Sequence, residues 1–173
     1  MIVAADRWSI RRVGPQDDAA IAWIARGMRA TLVEVEKSEA AGDLYTDEWR
    51  VARVRFHLDP ALATAAVWIV EAAAGEFAAH SFVRVETHED GTRYGLISTT
   101  WVDPAHRREG IAAALLREGE QWFREQGLDE SCTWTSSTNE KLIALYARAG
   151  YAEVERGPND LTATIMVRLA RRL

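Results

Sequence analysis

Apolar residues recur along this chain with two different periods, and the switches between them mark out its elements. Trp8–Val13 alternates as a strand and stops at Gly14-Pro15. Asp17 or Asp18 can then cap a helix whose apolar positions, Ile21, Ile24, Ala25 and Met28, keep helical spacing. Thr31–Phe56 reads as helix in pieces, broken near Gly42-Asp43. The pattern then changes character. Ala66–Glu71 is a strand, Ala74-Gly75 permits a turn, and Phe77–Glu86 is the next strand. His88–Thr92 carries the Asp-Gly signal of a tight hairpin, followed by a strand over Tyr94–Val102. Asp103-Pro104 ends it, because proline cannot donate to a ladder.

The last third returns to helical spacing. Gly110–Gln126 places Ile111, Leu115, Gly119 and Trp122 on one face, and Gly127 stops the helix. Glu130–Thr135 is a strand, and Asn139–Ala149 a helix with Leu142, Leu145, Tyr146 and Ala149 at helical spacing and Gly150 just past its end. Tyr151–Glu155 and Leu161–Leu169 complete the pattern as strands. Strand, helices, three-strand meander, helix, strand, helix and two strands make an α/β (α+β) protein: a mixed sheet carrying helices, without strict βαβ alternation.

Composition narrows the picture without changing it. At 173 residues, 48% hydrophobic and 27% charged, with no repeat, low-complexity tract or linker, residues 1–173 read as one domain. Net charge is −5 and no basic block stands apart, so no nucleic-acid partner is expected; Arg168, Arg171 and Arg172 are too short a cluster. Cys132 is the single cysteine, which excludes an intramolecular disulfide and a thiolate zinc cluster. His57, His80, His88 and His106 show no paired spacing, so no metal is expected. Met1–Ile10 is too short an apolar start for a signal peptide, and no run approaches the roughly 18 apolar residues of a membrane span. A cytoplasmic protein with no membrane partner is the expectation.

Chemistry concentrates in Val102-Asp-Pro-Ala-His-Arg107-Arg-Glu-Gly110-Ile-Ala112, where a strand ends and a helix opens on small residues. The first amides of a helix lack intrahelical acceptors, and its dipole places about half a positive charge there. Such an end binds anions if nothing bulky blocks approach. Gly110 and Ala112 remove bulk where a diphosphate would touch backbone, and Arg107 and Arg108 add forked donors. The plainer reading is a tight turn with solvated arginines.

Arg107-x-x-Gly110-x-Ala112, with Val102-x-Pro104 before it and Ala114-Leu115-Leu116 after it, resembles the Arg/Gln-x-x-Gly-x-Gly/Ala signature of the GNAT superfamily of acyl-CoA-dependent N-acetyltransferases. Asn139-Glu-Lys-Leu-Ile-Ala-Leu-Tyr146-Ala-Arg-Ala-Gly150-Tyr151 resembles the family's Asn-x-x-Ala-x-x-x-Tyr-x-x-x-Gly-Phe helix, with Leu142 and Tyr151 as mild departures. The resemblance runs from about Ala66 to the C-terminus. It implies a mostly antiparallel sheet of about six to seven strands flanked by about four helices. It also implies acetyl-CoA as acyl donor and transfer to an amine of a small molecule, peptide or protein. An acyl-CoA-binding regulatory module without efficient transfer is the alternative. Dimers are frequent among relatives, and Leu161–Leu169 offers a pairing edge.

Roles follow from the same resemblance. Amides from Arg108 through Glu109, Gly110 and Ile111 to Ala112 hold the diphosphate. The strand end at Trp101-Val102 pairs with the pantetheine arm where it splays from Glu130–Thr135, offering an N–H to the thioester carbonyl. Tyr146 is the acid at the leaving sulfur, and Asn139, seven residues and about two turns away on the same face, contacts the CoA arm. Read without the motif, Tyr146 is a core tyrosine.

No carboxylate lies between Tyr94 and Trp101, where many relatives carry a base. Glu86 and His80 remain as candidates, or Ser98 and Thr100 ordering water. Trp68, Trp101 and Trp134 line either the acyl end or the sheet, and Cys132 has no histidine partner to make it a nucleophile. Glu34, Glu36, Glu39, Asp43, Asp47 and Glu48 against Lys37 make either an acidic lip for a cationic amine or a solvated helix face.

Overall fold

A computed structural model describes residues 7–159, 161, 162 and 164–173. The apolar start of the chain, residues 1–6, and position 163 of the expected last strand lie outside the described residues. In chain order the elements are β1 (Trp8–Arg12), α1 (Asp18–Glu36), α2 (Glu39–Gly42), α3 (Asp47–Leu58), β2 (Ala65–Ala72), β3 (Phe77–Thr87) and β4 (Arg93–Val102). After a 3-10 turn at Pro104–His106 come α4 (Ile111–Glu125), β5 (Glu130–Ser136), α5 (Glu140–Arg148), β6 (Ala152–Pro158) and β7 (Ile165–Arg172). Seven strands form one sheet in the order β1-β2-β3-β4-β5-β7-β6. Every neighbouring pair is antiparallel except β4 and β5. The α4 crossover between those two strands makes that pair parallel.

Period-two alternation along β2 divides the core into two. Val67 and Ile69 join Ile21, Ile24, Val54 and Phe82 under α1 and α3. Ala66, Trp68 and Val70 face the other way, with Ile111, Leu115, Phe123 and Tyr146 of α4 and α5. Each fully buried Val, Leu, Ile or Phe among these contributes about 1.5–3 kcal/mol. Phe123, fully buried, lies so close over β4 that a Cβ on Gly95 would stand 2.4 Å from its ring. Gly95 is what lets α4 approach the sheet.

Two boundaries and one buried face depart from the sequence reading. Helix α1 runs unbroken past Gly27 to Glu36 and is closed by Lys37 in the left-handed region at φ 52. Phe123, not Trp122, completes the fully buried stripe of α4. The last strand begins at Ile165 rather than Leu161, because Asn159 Oδ1 accepts from the Leu161 amide at 2.8 Å and turns the chain there. The expected pairing edge at Leu161–Leu169 is corrected too: β7 is bonded on both sides, to β5 and β6. The edge strand is β6, with exposed Glu153, Glu155 and Arg156, charges that discourage strand addition. Among the described residues, no helix is long and apolar enough to cross a membrane.

Candidate active site

Strands β4 and β5 are paired only over Gly95–Ile97 and Ser131–Thr133, although both continue further. Beyond Ile97 they splay. On its other side β4 carries a bulge: Phe82 and Val83 are consecutive, yet they face Thr99 and Ile97, so Ser98 is the extra residue. A bulge bends its strand and leaves one residue outside the ladder, which here deepens the opening. Thr133 Oγ1 donates to Ile97 O at 2.9 Å and closes the bottom of the gap.

Two cavities meet at this gap and share Thr31, Val35, Thr100, Asn139 and Leu142 as walls. The larger, about 1070 Å³, runs along Trp101 and Val102 to Arg107, Arg108, Gly110, Ile111 and Ala112. Gly110 sits before α4 at φ 81 and supplies no side-chain cap. The first amides of α4 have no intrahelical acceptor and face this cavity's end. Arg108, two residues before Gly110, is also left-handed, at φ 67, and lines the same cavity. Glu109 points instead toward His106, 4.0 Å away, and does not line the cavity.

Arg107 is engaged elsewhere: Nε donates to Val102 O at 3.0 Å and Nη2 to Glu34 at 2.6 Å. It ties the loop to β4 and α1. Positive charge at the cavity comes from Lys37, Arg108, Lys141 and Arg148, none paired with a carboxylate among the described residues.

Tyr146 reaches the gap from α5 and lines the second cavity, of about 390 Å³. It is 2% exposed and stands edge-on to Tyr151 at 4.8 Å. Burial pushes its phenol above its ordinary range, partly offset by the Thr133 and Thr100 hydroxyls beside it. Thr100 in turn shares a hydrogen bond with Ser81 at 2.9 Å. Asn139 is the N-cap of α5 rather than a residue within it: Oδ1 accepts from the Leu142 amide and Nδ2 donates to Thr135 Oγ1 at 3.1 Å. Its side chain fixes the helix on which Tyr146 sits, and it lines both cavities.

The base candidates fare differently. Glu86 is ion-paired with Arg84 and lines neither cavity. His80 is fully buried between Trp23, Phe82 and Trp101, with both ring nitrogens unpartnered, and burial lowers its pKa to about 3. Neither meets Tyr146 in the gap. Glu36, at the end of α1, is the one carboxylate lining the smaller cavity among the described residues, and it accepts from Thr164 Oγ1 at 2.8 Å. Ser98 and Thr100 line that cavity as well. Cys132 is fully buried and its thiol pushed up to about 11, first by burial, which leaves it inert. Trp68 is sheet packing, Trp101 lines the larger cavity, and Trp134, 38% exposed, lines the smaller.

Four of the six carboxylates of the acidic stretch are ion-paired, while Glu36 and Glu48 have no cation partner among the described residues. Glu34 is paired with Arg107, Glu39 and Asp43 with Arg29, and Asp47 with Arg50.

Residues 30–151 match the model of the family described as Acetyltransferase (GNAT) family. The chain belongs to the GNAT acetyltransferase family. A mycothiol acetyltransferase of Salinispora tropica is 26% identical over 143 residues, which cover 82% of this chain and 43% of that protein. The chain thus spans less than half the length of this curated relative. Among solved structures, a chain of the NatC complex bound to Gag peptide and CoA superposes with a TM-score of 0.79 at 17% identity, covering 96% of this chain and 99% of that one. Spermidine N-acetyltransferase from Vibrio cholerae, in complex with CoA and spermine, superposes at 0.71 with 14% identity, covering 97% and 96%. At these identities the two superpositions establish the GNAT fold.

Within this GNAT domain, sequence reasoning missed most of the smaller cavity. Its floor is a cluster in which Arg84 Nη1 donates to Ser98 Oγ at 2.8 Å and meets His57 Nε2 at 3.2 Å. His57 Nδ1 lies 2.8 Å from Arg53 O and so carries the proton. Burial lowers the His57 pKa to about 4, aided by the charges of Arg84 and Arg53. A histidine in the last turn of α3 gave no local signal of this, since its partners lie on β3 and β4.

Proposed function

We propose that this GNAT domain transfers an acetyl group from acetyl-CoA directly to a primary amine, in the cytoplasm. One observation carries the reading: the opening between β4 and β5 joins a cavity ending at the amides around Gly110 to a cavity holding the phenol of Tyr146. The amides from Arg108 to Ala112 hold the diphosphate, and Arg108, Lys141 and Arg148 supply cations for its charge. The unpaired edge of β4 beyond Ile97 offers main-chain groups to the pantetheine arm and an N–H to the thioester carbonyl. The lone, buried thiol Cys132 fits a reducing compartment.

An amine with a pKa of about 10 must first lose a proton. Glu36 is the carboxylate placed to take it, through water ordered by Ser98 and Thr100. The neutral nitrogen attacks the thioester carbon, sheds a second proton as the amide forms, and the carbon–sulfur bond breaks. Net, an ammonium and a thioester give an amide, a thiol and one released proton. The leaving thiolate belongs to a thiol of pKa about 8.5. A phenol whose pKa is raised by burial stays protonated, so Tyr146 acts by donating a hydrogen bond to the departing sulfur.

Lack of any carboxylate on β4 favours a second reading, an acyl-CoA-binding module with little transfer. A thiol-release assay with acetyl-CoA over a panel of cationic, neutral and anionic amines separates the two. Sustained release with at least one amine supports the enzyme; calorimetric binding of acetyl-CoA with no release on any amine supports the module.

A further inference from the structure

We infer that the smaller cavity selects an amine that also carries a carboxylate and an apolar body, an amino acid or peptide end of that kind; this rests on the transferase reading above. Three arginines, Arg50, Arg53 and Arg84, line that cavity against one carboxylate, Glu36. Two of the three have partners. Arg50, 3% exposed, donates to the Gly42 and Tyr45 carbonyls and to Asp47, while its Nε is buried without a partner. Arg84 is paired with Glu86. Arg53 has no carboxylate partner among the described residues; its guanidinium lies over the Phe56 ring, 5.1 Å from the centroid. Its pKa is lowered, first by burial and then by the like charge of Arg84.

Arg84 repels Arg53 across the cavity wall, and Glu86 beside Arg84 offsets this only in part; a carboxylate entering the cavity would relieve the remainder with forked hydrogen bonds. A polyamine would add a third cation to the same wall. Glu36 lies on α1 and the arginines on α3 and β3, so the walls have opposite signs, the arrangement that orients an amino carboxylate. The rim is apolar: Leu44, Trp49, Trp134 and Leu161 are exposed by 46%, 43%, 38% and 68% and all line this cavity. Tyr45 stacks on Trp49 at 4.0 Å and extends that surface. Exposed aromatic and aliphatic groups around a charged floor suit a side chain such as a phenyl ring.

Thiol release with acetyl-CoA is measured for L-phenylalanine, L-phenylalaninamide, phenethylamine and spermidine. The expected result is kcat/KM at least about 10-fold higher for phenylalanine than for its amide. Arg53→Glu reverses that ratio, and Arg55→Gln, on the outer face of α3 and paired with Asp18, leaves it unchanged. Spermidine or phenylalaninamide preferred over phenylalanine by the unaltered protein overturns this inference and leaves the transferase reading standing. No release with any of the four, nor with a wider amine panel, overturns both. Equal ratios in Arg53→Glu and the unaltered protein also overturn it, provided circular dichroism shows the variant folded.

Discussion

The cavity beside Gly110 ends on one short stretch of chain, Arg108 and Gly110 to Ala113, whereas the cavity beside Tyr146 collects residues from α1, α3, β3, β4, β5, α5 and the loop before β7. The first is local chemistry. A strand end, a left-handed glycine and a helix start make a candidate anion site from a few consecutive residues. The second exists only once the sheet order brings Arg53, Arg84, Ser98 and Trp134 around one space. A family can therefore keep its donor site in a short motif while its acceptor site drifts, because the motif is tied to backbone geometry and the acceptor wall to side chains.

Breaking the local half should have the largest effect. Gly110→Asp places a β-carbon at φ 81 and a carboxylate beside a diphosphate, and is expected to weaken acetyl-CoA binding at least about 100-fold by calorimetry. Next is the proposed proton acceptor in the assembled half. Glu36→Gln should lower kcat/KM about 100-fold at neutral pH with acetyl-CoA affinity intact, and the deficit should shrink as pH approaches the amine's pKa. A deficit that stays constant with pH would remove Glu36 from this role. Tyr146→Phe should lower kcat about 10- to 100-fold, the worth of a hydrogen bond to a charged group, while KM for acetyl-CoA moves less than about threefold.

Smaller effects separate the halves by stability. His57 lies behind the acceptor wall with its pKa depressed from 6.5 to about 4 by burial. The unfolded chain then binds the proton more readily, so the stability His57 contributes is present above pH 6.5 and lost as pH falls toward 4. The slope is about 1.4 kcal/mol per pH unit for each such histidine, and His57→Gln should flatten it in denaturant titrations across that window. The smallest effect is Arg107→Met. Losing its bonds to Val102 O and Glu34 should cost about 1 kcal/mol of stability, with acetyl-CoA affinity changed less than about threefold. A large affinity loss there would return Arg107 to the diphosphate.

Legibility in the sequence follows the same division. All seven strands are readable, since alternation, helical spacing and capping act over a few residues, whereas Gly110 and Tyr146 stand out only through the two motifs that resemble the family's. The extra residue at Ser98 is not, because a bulge shows only against the partner strand. Glu86 looks like a free carboxylate until Arg84, two positions away on the same face, is seen to hold it. The acidic run from Glu34 to Glu48 reads as an open lip or a solvated face; its pairs with Arg29 and Arg107 show only once distant residues fold against it, while Asp47–Arg50 is a local pair within α3. The late strand slips by four residues because an Asn159 turn, not hydrophobicity, decides where it starts.

The most direct test is a crystal structure with CoA bound. Its diphosphate is expected on the amides from Arg108 to Ala112 and its sulfur in hydrogen-bond reach of the Tyr146 hydroxyl, between β4 and β5. Density for CoA lying outside that opening, or a sulfur turned away from Tyr146, would contradict the account.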